Sequence, residues 1–158
     1  MPEIKPTKPE NIPAIRTLEI PDAYWICPYT YEQHVAWMEA EDSAHFSLFI
    51  EEKEEPVGFF LIRGLKNDHL SLELKRIVIG EKGKGLGRFC IKWIKKYCFE
   101  ELKFHRLWLD VFTDNERAQH LYVTEGFTKE GELREIIKNG DQYRSLYLFS
   151  ILEGEYIK

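Results

Sequence analysis

The segment that decides the fold runs from Leu74 to Arg88 and reads LKRIVIGEKGKGLGR. Its first half ends in β-branched residues, typical of a strand, and its second half has glycine at alternate positions, Gly83, Gly85 and Gly87. A helical pattern follows, so the loop lies at a helix start, where unpaired N–H groups and the macrodipole attract an anion. The cationic side chains around these glycines are Lys82, Lys84 and Arg88. The segment therefore predicts a phosphate-binding loop.

Two nucleotide-binding loops compete with this interpretation, and neither matches the sequence. A P-loop needs GxxxxGK followed by Ser or Thr, whereas Lys84 is followed by Gly85, so the hydroxyl that would hold magnesium is missing. A Rossmann loop needs GxGxxG, whereas the third glycine here is Gly87, only two residues after Gly85. A solvated turn remains the structural alternative.

Strand and helix patterns alternate on both sides of this loop. The predicted strands are residues 2–6, 46–51, 57–65, 70–79, 107–112, 127–137 and 143–152. A strand, a long helix and a second strand around the glycine loop imply a right-handed parallel crossover in an otherwise antiparallel sheet. The sequence thus predicts a mixed α/β fold in one domain, residues 1–158, with a mostly antiparallel sheet of about six to seven strands and about four helices.

Helix starts and one strand irregularity refine this prediction. Thr7 before Glu10 and Thr30 before Gln33 have the spacing of a capping box and predict the first two helices.

Along strand 70–79 the apolar residues change parity. They are even at Leu70, Leu72 and Leu74 but odd at Ile77 and Ile79, as an inserted residue in a β-bulge would produce. Because bulges are common beside active sites, this strand is a candidate wall of the site.

Charge and composition exclude several classes of protein. The chain has 22 Lys and Arg against 27 Asp and Glu, a net charge of -5, which gives no electrostatic footprint for nucleic acid or anionic lipid. No apolar run reaches the roughly 20 residues of a membrane span, and the N-terminus is too polar for a signal-peptide core, so we expect a cytoplasmic protein. The cysteines Cys27, Cys90 and Cys98 lack CxxC spacing and the histidines form no HxxxH or HExxH pair, so we expect no metal.

Two ordered motifs resemble those of a known family. The strand and loop up to Gly87 resemble the GNAT motif Gln/Arg-x-x-Gly-x-Gly/Ala, with Lys82 in the first position. Residues 115–127 resemble the second GNAT signature, Asn-x-x-Ala-x-x-x-Tyr-x-x-x-Gly-Phe, with every fixed position present. The chain therefore resembles the GNAT superfamily of N-acetyltransferases over residues 70–152.

A weaker likeness points to one branch of that superfamily. The run from Gly131 to Arg134, and Tyr143 after it, are similar to the branch of ribosomal-protein alanine and spermidine N-acetyltransferases. That branch often has Asp after the tyrosine, whereas this chain has Arg144.

The resemblance implies acetyl-CoA as co-substrate, no metal, and a cofactor wedged between two splayed strands, the fourth and fifth of the sheet. The positions that it assigns to the cofactor are Ile77, Val78, Ile79, Lys82, Gly83, Lys84, Gly85, Leu86, Gly87, Arg88, Asn115, Ala118 and Tyr122. Backbone N–H groups at Val78 or Ile79 are expected to bond the pantetheine and the thioester oxygen, and the loop to bind the pyrophosphate.

Catalytic roles also follow from the resemblance. Tyr122 is the expected general acid, since a phenol can protonate the departing thiolate. Glu73 is the expected base that removes a proton from the amine. Its rivals are Glu19 and Asp22, which could instead hold a cationic acceptor, and Glu32.

The implied reaction is transfer of an acetyl group to a primary amine by direct attack in a ternary complex. The amine could belong to a protein N-terminus, a polyamine or a small molecule, and residues 19–33 with the final hairpin would select it. An acyltransferase for longer acyl-CoA and a catalytically silent acyl-CoA-binding module remain alternatives. Edge or hairpin contacts make a homodimer possible.

Overall fold

A computed structural model describes residues 1–156 as seven strands and four α-helices. The strands are β1 (Glu3–Pro6), β2 (Ser43–Phe49), β3 (Gly58–Arg63), β4 (Ser71–Ile79), β5 (Arg106–Phe112), β6 (Thr128–Asn139) and β7 (Gln142–Leu152). The helices are α1 (Ile12–Glu19), α2 (Tyr31–Glu39), α3 (Leu86–Lys96) and α4 (Glu116–Thr124).

All seven strands form one sheet in the order β1-β2-β3-β4-β5-β7-β6. Strands β4 and β5 run parallel and are joined by α3, while the other neighbouring pairs are antiparallel. The predicted mixed fold and its parallel crossover are confirmed.

The parallel pair is short and then splays. Residues 71–73 of β4 pair with residues 106–108 of β5, and no ladder continues beyond Glu73 and Trp108. Because both strands go on for several residues, their carboxyl ends diverge and leave a gap in the middle of the sheet. This gap positions the site.

A β-bulge lies on the β4 side of the gap. Leu61 on β3 is opposite Arg76, whereas its neighbour Ile62 is opposite Leu74, so Lys75 is the extra residue. The parity change had predicted an insertion between Leu74 and Ile77, and the bulge is there.

The sheet is covered on both faces. One face packs against α3 and α4 through a large core that includes Leu72, Leu74, Ile79, Cys90, Ile91, Ile94, Leu107, Leu109, Val111 and Tyr122. The other face packs against α1 and α2 through a smaller cluster of Ile15, Phe59, Leu61 and Val78, with Leu18, Ile26, Tyr29 and Trp37 around it. The gap therefore connects two separately built layers.

One predicted helix start is confirmed and one is wrong. The Thr30 hydroxyl accepts from the Gln33 N–H at 3.1 Å, and the Gln33 side chain accepts from the Thr30 N–H at 2.8 Å. The Thr7 hydroxyl instead bonds His45 Nδ1 at 2.7 Å, and α1 begins after a 3-10 turn. A partner on another strand displaced the local cap.

Candidate active site

The gap between β4 and β5 opens into a cleft of about 710 Å³. The predicted site residues that line it are Ile77, Ile79, Lys82, Gly83, Gly85, Leu86, Gly87, Arg88, Asn115, Ala118 and Tyr122. Three predicted residues lie outside the lining, namely Glu73, Val78 and Lys84. Segments distant in sequence therefore meet at one surface.

The glycine loop needs glycine for its backbone conformation. Gly83 and Gly85 have φ of +78° and +76°, the left-handed region that other residues avoid, and Gly85 is the N-cap of α3. A Cβ at either position would meet no atom within 4 Å, so the loop surface is open to a ligand. Lys82 lies on the cleft and reaches Asp22 at 3.3 Å, whereas Lys84 pairs with Glu81 at 3.0 Å outside it.

Backbone alternation decides which N–H groups of β4 face the gap. The Gly80 N–H donates to the Val57 carbonyl at 2.8 Å, towards β3. Successive N–H groups of a strand point to opposite sides, so Val78 is also directed at β3 while Ile77 and Ile79 face the gap. Of the two residues expected to present an N–H, Ile79 therefore fits and Val78 does not, while the N–H of Ile77, a predicted cofactor position, also faces the gap.

Tyr122 reaches the gap from α4. It is 5% exposed, and its ring lies 5.8 Å from that of Phe127 and 6.1 Å from that of Phe149. Burial raises the pKa of Tyr122, and the negative charge of Asp110 raises this pKa further. The phenol therefore stays protonated at neutral pH, as a proton donor must.

The start of α4 is fixed by two amide side chains. Asn115 caps the helix by accepting from the Ala118 N–H at 3.2 Å. Gln119 Nε2 donates to the carbonyls of Phe112 and Thr113 at 3.2 and 3.0 Å, at the end of β5. The helix that carries Tyr122 is thus tied to the strand that forms the other wall of the gap.

A chain of buried polar groups underlies the α1–α2 side of the cleft. Thr7 Oγ1 lies 2.7 Å from His45 Nδ1, and His45 Nε2 lies 3.0 Å from His34 Nδ1. His34 Nε2 lies 2.8 Å from Glu19 Oε1, and Glu19 Oε2 accepts from Arg76 at 2.6 Å. The chain thus ends at an arginine on the cleft wall.

The buried carboxylate of Glu19 is the acceptor at one end of this chain. His34 Nε2 bonds to Glu19, and His34 Nδ1 faces His45 Nε2. Burial, followed by the neighbouring charge of His34, lowers the pKa of His45 to about 3. With His45 neutral, every group in the chain has a partner in one direction of donation.

Arg144 on β7 holds the segment of Tyr24 and Trp25, which precedes α2, to the final hairpin. Its guanidinium donates to the Tyr24 carbonyl at 2.7 Å and to Asp114 at 3.3 Å, and lies 3.5 Å from the centre of the Phe112 ring. Tyr24 also donates to Asp114 at 2.7 Å. Trp25 then lines the cleft. Arg144, which departs from the branch pattern, therefore shapes the cleft mouth.

Comparison with known proteins matches this arrangement to one family. Residues 12–127 match the model of the acetyltransferase (GNAT) family. The chain belongs to the acetyltransferase (GNAT) family.

The relatives of this GNAT chain include two spermidine N(1)-acetyltransferases. The one from Vibrio cholerae serotype O1 is 29% identical over 129 residues, which span 80% of this chain and 72% of that protein. The one from Escherichia coli K12 is 31% identical over 129 residues, 80% of this chain and 66% of that protein. The chain thus spans about two thirds of the curated relatives that it matches.

Solved structures share the fold. A Vibrio cholerae spermidine N-acetyltransferase in complex with CoA and spermine has a TM-score of 0.86 at 23% identity, covering 98% of this chain and 96% of that one. A dodecameric structure of the Vibrio enzyme has a TM-score of 0.83 at 23% identity, covering 99% and 96%. The seven-stranded sheet with its splayed pair is therefore the GNAT fold.

The GNAT chain is an N-acetyltransferase with acetyl-CoA as acyl donor, and the cleft residues fit that donor. The open, left-handed glycines and the cation of Lys82 suit a pyrophosphate, and the N–H groups of Ile77 and Ile79 suit amides. Within residues 1–156, no group of three His, Cys, Asp or Glu side chains could hold a metal ion. In the same residues no helix is both long and apolar enough to cross a membrane.

Most of the acidic residues that the sequence analysis proposed for proton removal are bonded to other side chains or lie outside the cleft lining. Glu73 is 6% exposed and accepts from Arg63 at 2.7 and 3.0 Å, on β4 where the strands are still paired. Glu19 is committed to His34 and Arg76, and Glu32 lies exposed on α2 outside the cleft lining. The sequence indicated these carboxylates as candidates but not the side chains that bond to them.

One carboxylate of the cleft escaped the sequence prediction. Asp110 lines the gap from β5, between the buried Leu109 and Val111. The signal was present, since a single acidic residue interrupts an otherwise continuous apolar run on the strand expected to lie beside β4. Its significance depends on where the two strands separate, which periodicity does not give.

Proposed function

We propose that this enzyme acetylates a primary amine of a polyamine such as spermidine. The observation that carries the proposal is that five carboxylates line the same cleft as the open glycine loop. The carboxylates that line the cleft are those of Asp22, Glu81, Asp110, Asp114 and Glu116. Carboxylates are the side chains that pair with the cationic amines of a polyamine, and the curated relatives are named for spermidine.

Each group of the cleft is assigned a role from its position. The glycine loop and Lys82 bind the pyrophosphate, and the N–H groups of Ile77 and Ile79 bond the pantetheine and the thioester oxygen. Tyr122 faces the departing sulfur and donates a proton to it. The amine enters on the α1–α2 side, where Asp22 and Trp25 line the cleft.

Direct attack by the amine is favoured over an acyl-enzyme. Burial raises the pKa of Cys90 and of Cys98 to about 12, so both are inert thiols at neutral pH. Cys27 is exposed but lies outside the cleft lining. None of the three cysteines is therefore placed to carry the acetyl group. Direct transfer in a ternary complex needs no group beyond those named above.

Calorimetric titration of acetyl-CoA into the wild type and Gly85→Glu tests the cofactor half of the proposal. The glutamate would be strained at a positive φ, fill the open cradle and repel the pyrophosphate, so we expect binding to weaken about a hundredfold or more. Gly140→Glu is the matched control, because Gly140 has a φ of +63° and equally open surroundings, but lies at the hairpin turn. Equal binding by the wild type and Gly85→Glu would contradict the loop's role.

Thiol release with a panel of amines tests the acceptor. We expect spermidine to be acetylated more efficiently than an alanine-terminated peptide of equal length, because the carboxylates that line the cleft can pair with more than one ammonium group of spermidine. Preference for the peptide would contradict the polyamine assignment and leave the transferase activity standing. Binding of acetyl-CoA without thiol release in the presence of any amine would favour the alternative of a catalytically silent acyl-CoA-binding module. Faster thiol release from a longer acyl-CoA than from acetyl-CoA would favour the alternative of an acyltransferase for longer acyl chains.

We also infer that the chain self-associates through its last hairpin. Strand β6 is exposed along its whole length, and apolar side chains with exposed fractions of 38–55% project from the hairpin. They are Leu133, Ile136, Ile137 and Tyr143. An uncovered edge of this kind offers unpaired backbone groups and apolar side chains to another copy, and a dodecameric structure exists for the Vibrio enzyme.

Sedimentation velocity measures that association directly. Ile136→Lys is expected to lower the sedimenting mass, since it places a charge on the apolar edge. Val123→Lys is the control, because Val123 is 57% exposed on α4, away from the hairpin. A wild type that sediments as a monomer at all concentrations would contradict this inference.

A further inference from the structure

Strand β5 carries a carboxylate just past the point where its pairing with β4 ends. Trp108, opposite Glu73, is the last β5 residue with a partner on β4. Asp110 lies two residues after Trp108, so the two side chains are on the same face of the sheet. Asp110 also lines the gap. The carboxylate therefore sits at the rim of the opening that an acyl group and an amine must share.

Asp110 and Tyr122 approach this opening from opposite faces of the sheet. Leu109 and Val111 are buried in the α3–α4 core together with Tyr122, so the strand alternation places Asp110 on the α1–α2 face. The two groups are still close enough for the Asp110 charge to add to the burial that raises the pKa of Tyr122. An acid and a base on opposite sides of one gap are the arrangement that acyl transfer needs.

We propose that Asp110 is the general base of the transfer, accepting a proton from the acceptor ammonium on the α1–α2 face of the gap. This rests on the proposed function. Glu73 accepts two hydrogen bonds from Arg63 and lies outside the cleft lining, whereas no side chain among residues 1–156 donates a hydrogen bond to the Asp110 carboxylate. Asp110 is thus free to take up the proton.

The protons balance with Asp110 and Tyr122 as the two groups. Asp110 takes one proton from the ammonium, and the lone pair of the neutral amine then forms the C–N bond at the thioester carbon. The C–S bond breaks, the sulfur keeps the bonding pair, and Tyr122 donates a proton to it. The proton shed by the new amide nitrogen returns to Tyr122, and Asp110 releases its own to water.

Burial brings the pKa of Asp110 closer to the working range of a base. Burial raises the pKa of Asp110 above the usual aspartate value, Lys75 opposes this rise, Glu73 adds to it and Arg63 opposes it. The titratable and charged groups that face Asp110 are Glu73 and Lys75 on β4, Arg63 on β3 and Tyr122 on α4. The net rise makes the carboxylate a stronger base than a solvated aspartate.

The test compares Asp110→Asn with Glu73→Gln in pH profiles of kcat/KM, with acetyl-CoA and spermidine. Asp110→Asn is expected to lose about a hundredfold or more near pH 7, and to recover as the pH approaches about 10, where part of the amine is neutral without a base. Its affinity for acetyl-CoA stays unchanged by calorimetry. Because burial disfavours the charge, the variant melts at or above the wild-type temperature, whereas a structural aspartate would leave it less stable.

Glu73→Gln gives the matched outcome. Removing a negative charge that raises the Asp110 pKa shifts the acidic limb of the profile to lower pH, with a loss of less than about tenfold at pH 7. The proposal is overturned if Asp110→Asn stays within about threefold of wild type, if its loss is the same at every pH, or if Glu73→Gln shows the alkaline recovery instead. A wild type that releases no thiol with any amine refutes the proposed function itself, before any variant is made.

Discussion

The gap between β4 and β5 has a glycine loop at the start of α3, and ionisable side chains on its α1–α2 side. Gly83 and Gly85 line the gap in a backbone conformation that a few consecutive residues set. Glu19, Arg76 and Asp110 come from distant parts of the chain; Glu19 accepts from His34 and Arg76, and burial and charged neighbours shift the pKa of Asp110. A ligand bound by backbone needs only a local conformation, whereas proton transfer depends on how the whole layer packs.

The largest expected effect lies on the α3–α4 side, at Tyr122. Tyr122→Phe keeps the buried ring and removes the hydroxyl, for which no hydrogen-bond partner is found within residues 1–156. We expect kcat to fall about 10²- to 10⁴-fold, the usual contribution of a general acid, with little change in the melting temperature. Thiol release at saturating acetyl-CoA and amine measures kcat.

The same variant separates chemistry from binding. Since backbone groups and the glycine loop hold the donor, the dissociation constant of acetyl-CoA for Tyr122→Phe is expected to match the wild type. Retention of full kcat would show that the thiolate leaves without an acid. A parallel loss of affinity would show that Tyr122 acts as a binding residue.

The next effect concerns the buried chain on the α1–α2 side. The pKa of His45 is lowered to about 3 by burial and then by His34, so the unfolded chain takes up a proton near pH 6.5 and the folded chain does not. The stability that depends on neutral His45 is complete above pH 6.5 and is lost as the pH falls towards 3. We expect the free energy of unfolding to fall by about 1.4 kcal/mol per pH unit in that window from this residue.

Urea unfolding at pH 7.5, 6.5 and 5.5 measures this slope. His45→Gln keeps one donor and one acceptor but cannot titrate, so its stability should fall less between these values than that of the wild type. His69→Gln, at an exposed histidine, should leave the slope unchanged. If His45→Gln and the wild type lose the same free energy, the acid sensitivity comes from other groups.

The two sides also differ in how far sequence alone reveals them. The glycine loop, the Thr30 cap and the bulge depend on neighbours within a few residues, so spacing and parity predicted them. The role of Thr7 was wrong because its partner, His45, is 38 residues away. Asp110 was missed because its importance depends on where β5 leaves β4. Non-local pairing leaves no periodic trace in the chain.

The smallest effect tests the ion pair that joins the two sides. Lys82 on the glycine loop reaches Asp22 on the acceptor side at 3.3 Å, whereas Lys84 pairs with Glu81 and lies outside the cleft lining. Lys82→Ala should weaken acetyl-CoA binding about two- to fivefold, as expected for one exposed charge, and Lys84→Ala much less.

Asp22→Asn sharpens that comparison because Asp22 competes with the pyrophosphate for Lys82. Removing the carboxylate should tighten acetyl-CoA binding slightly, and this gain should vanish when Lys82→Ala is also present. Calorimetry at low and high salt measures both effects, since screening reduces them together. A gain that persists without Lys82 would mean that Asp22 acts on the phosphates through its own charge, and the two sides of the gap would then be coupled by long-range field rather than by a shared ion pair.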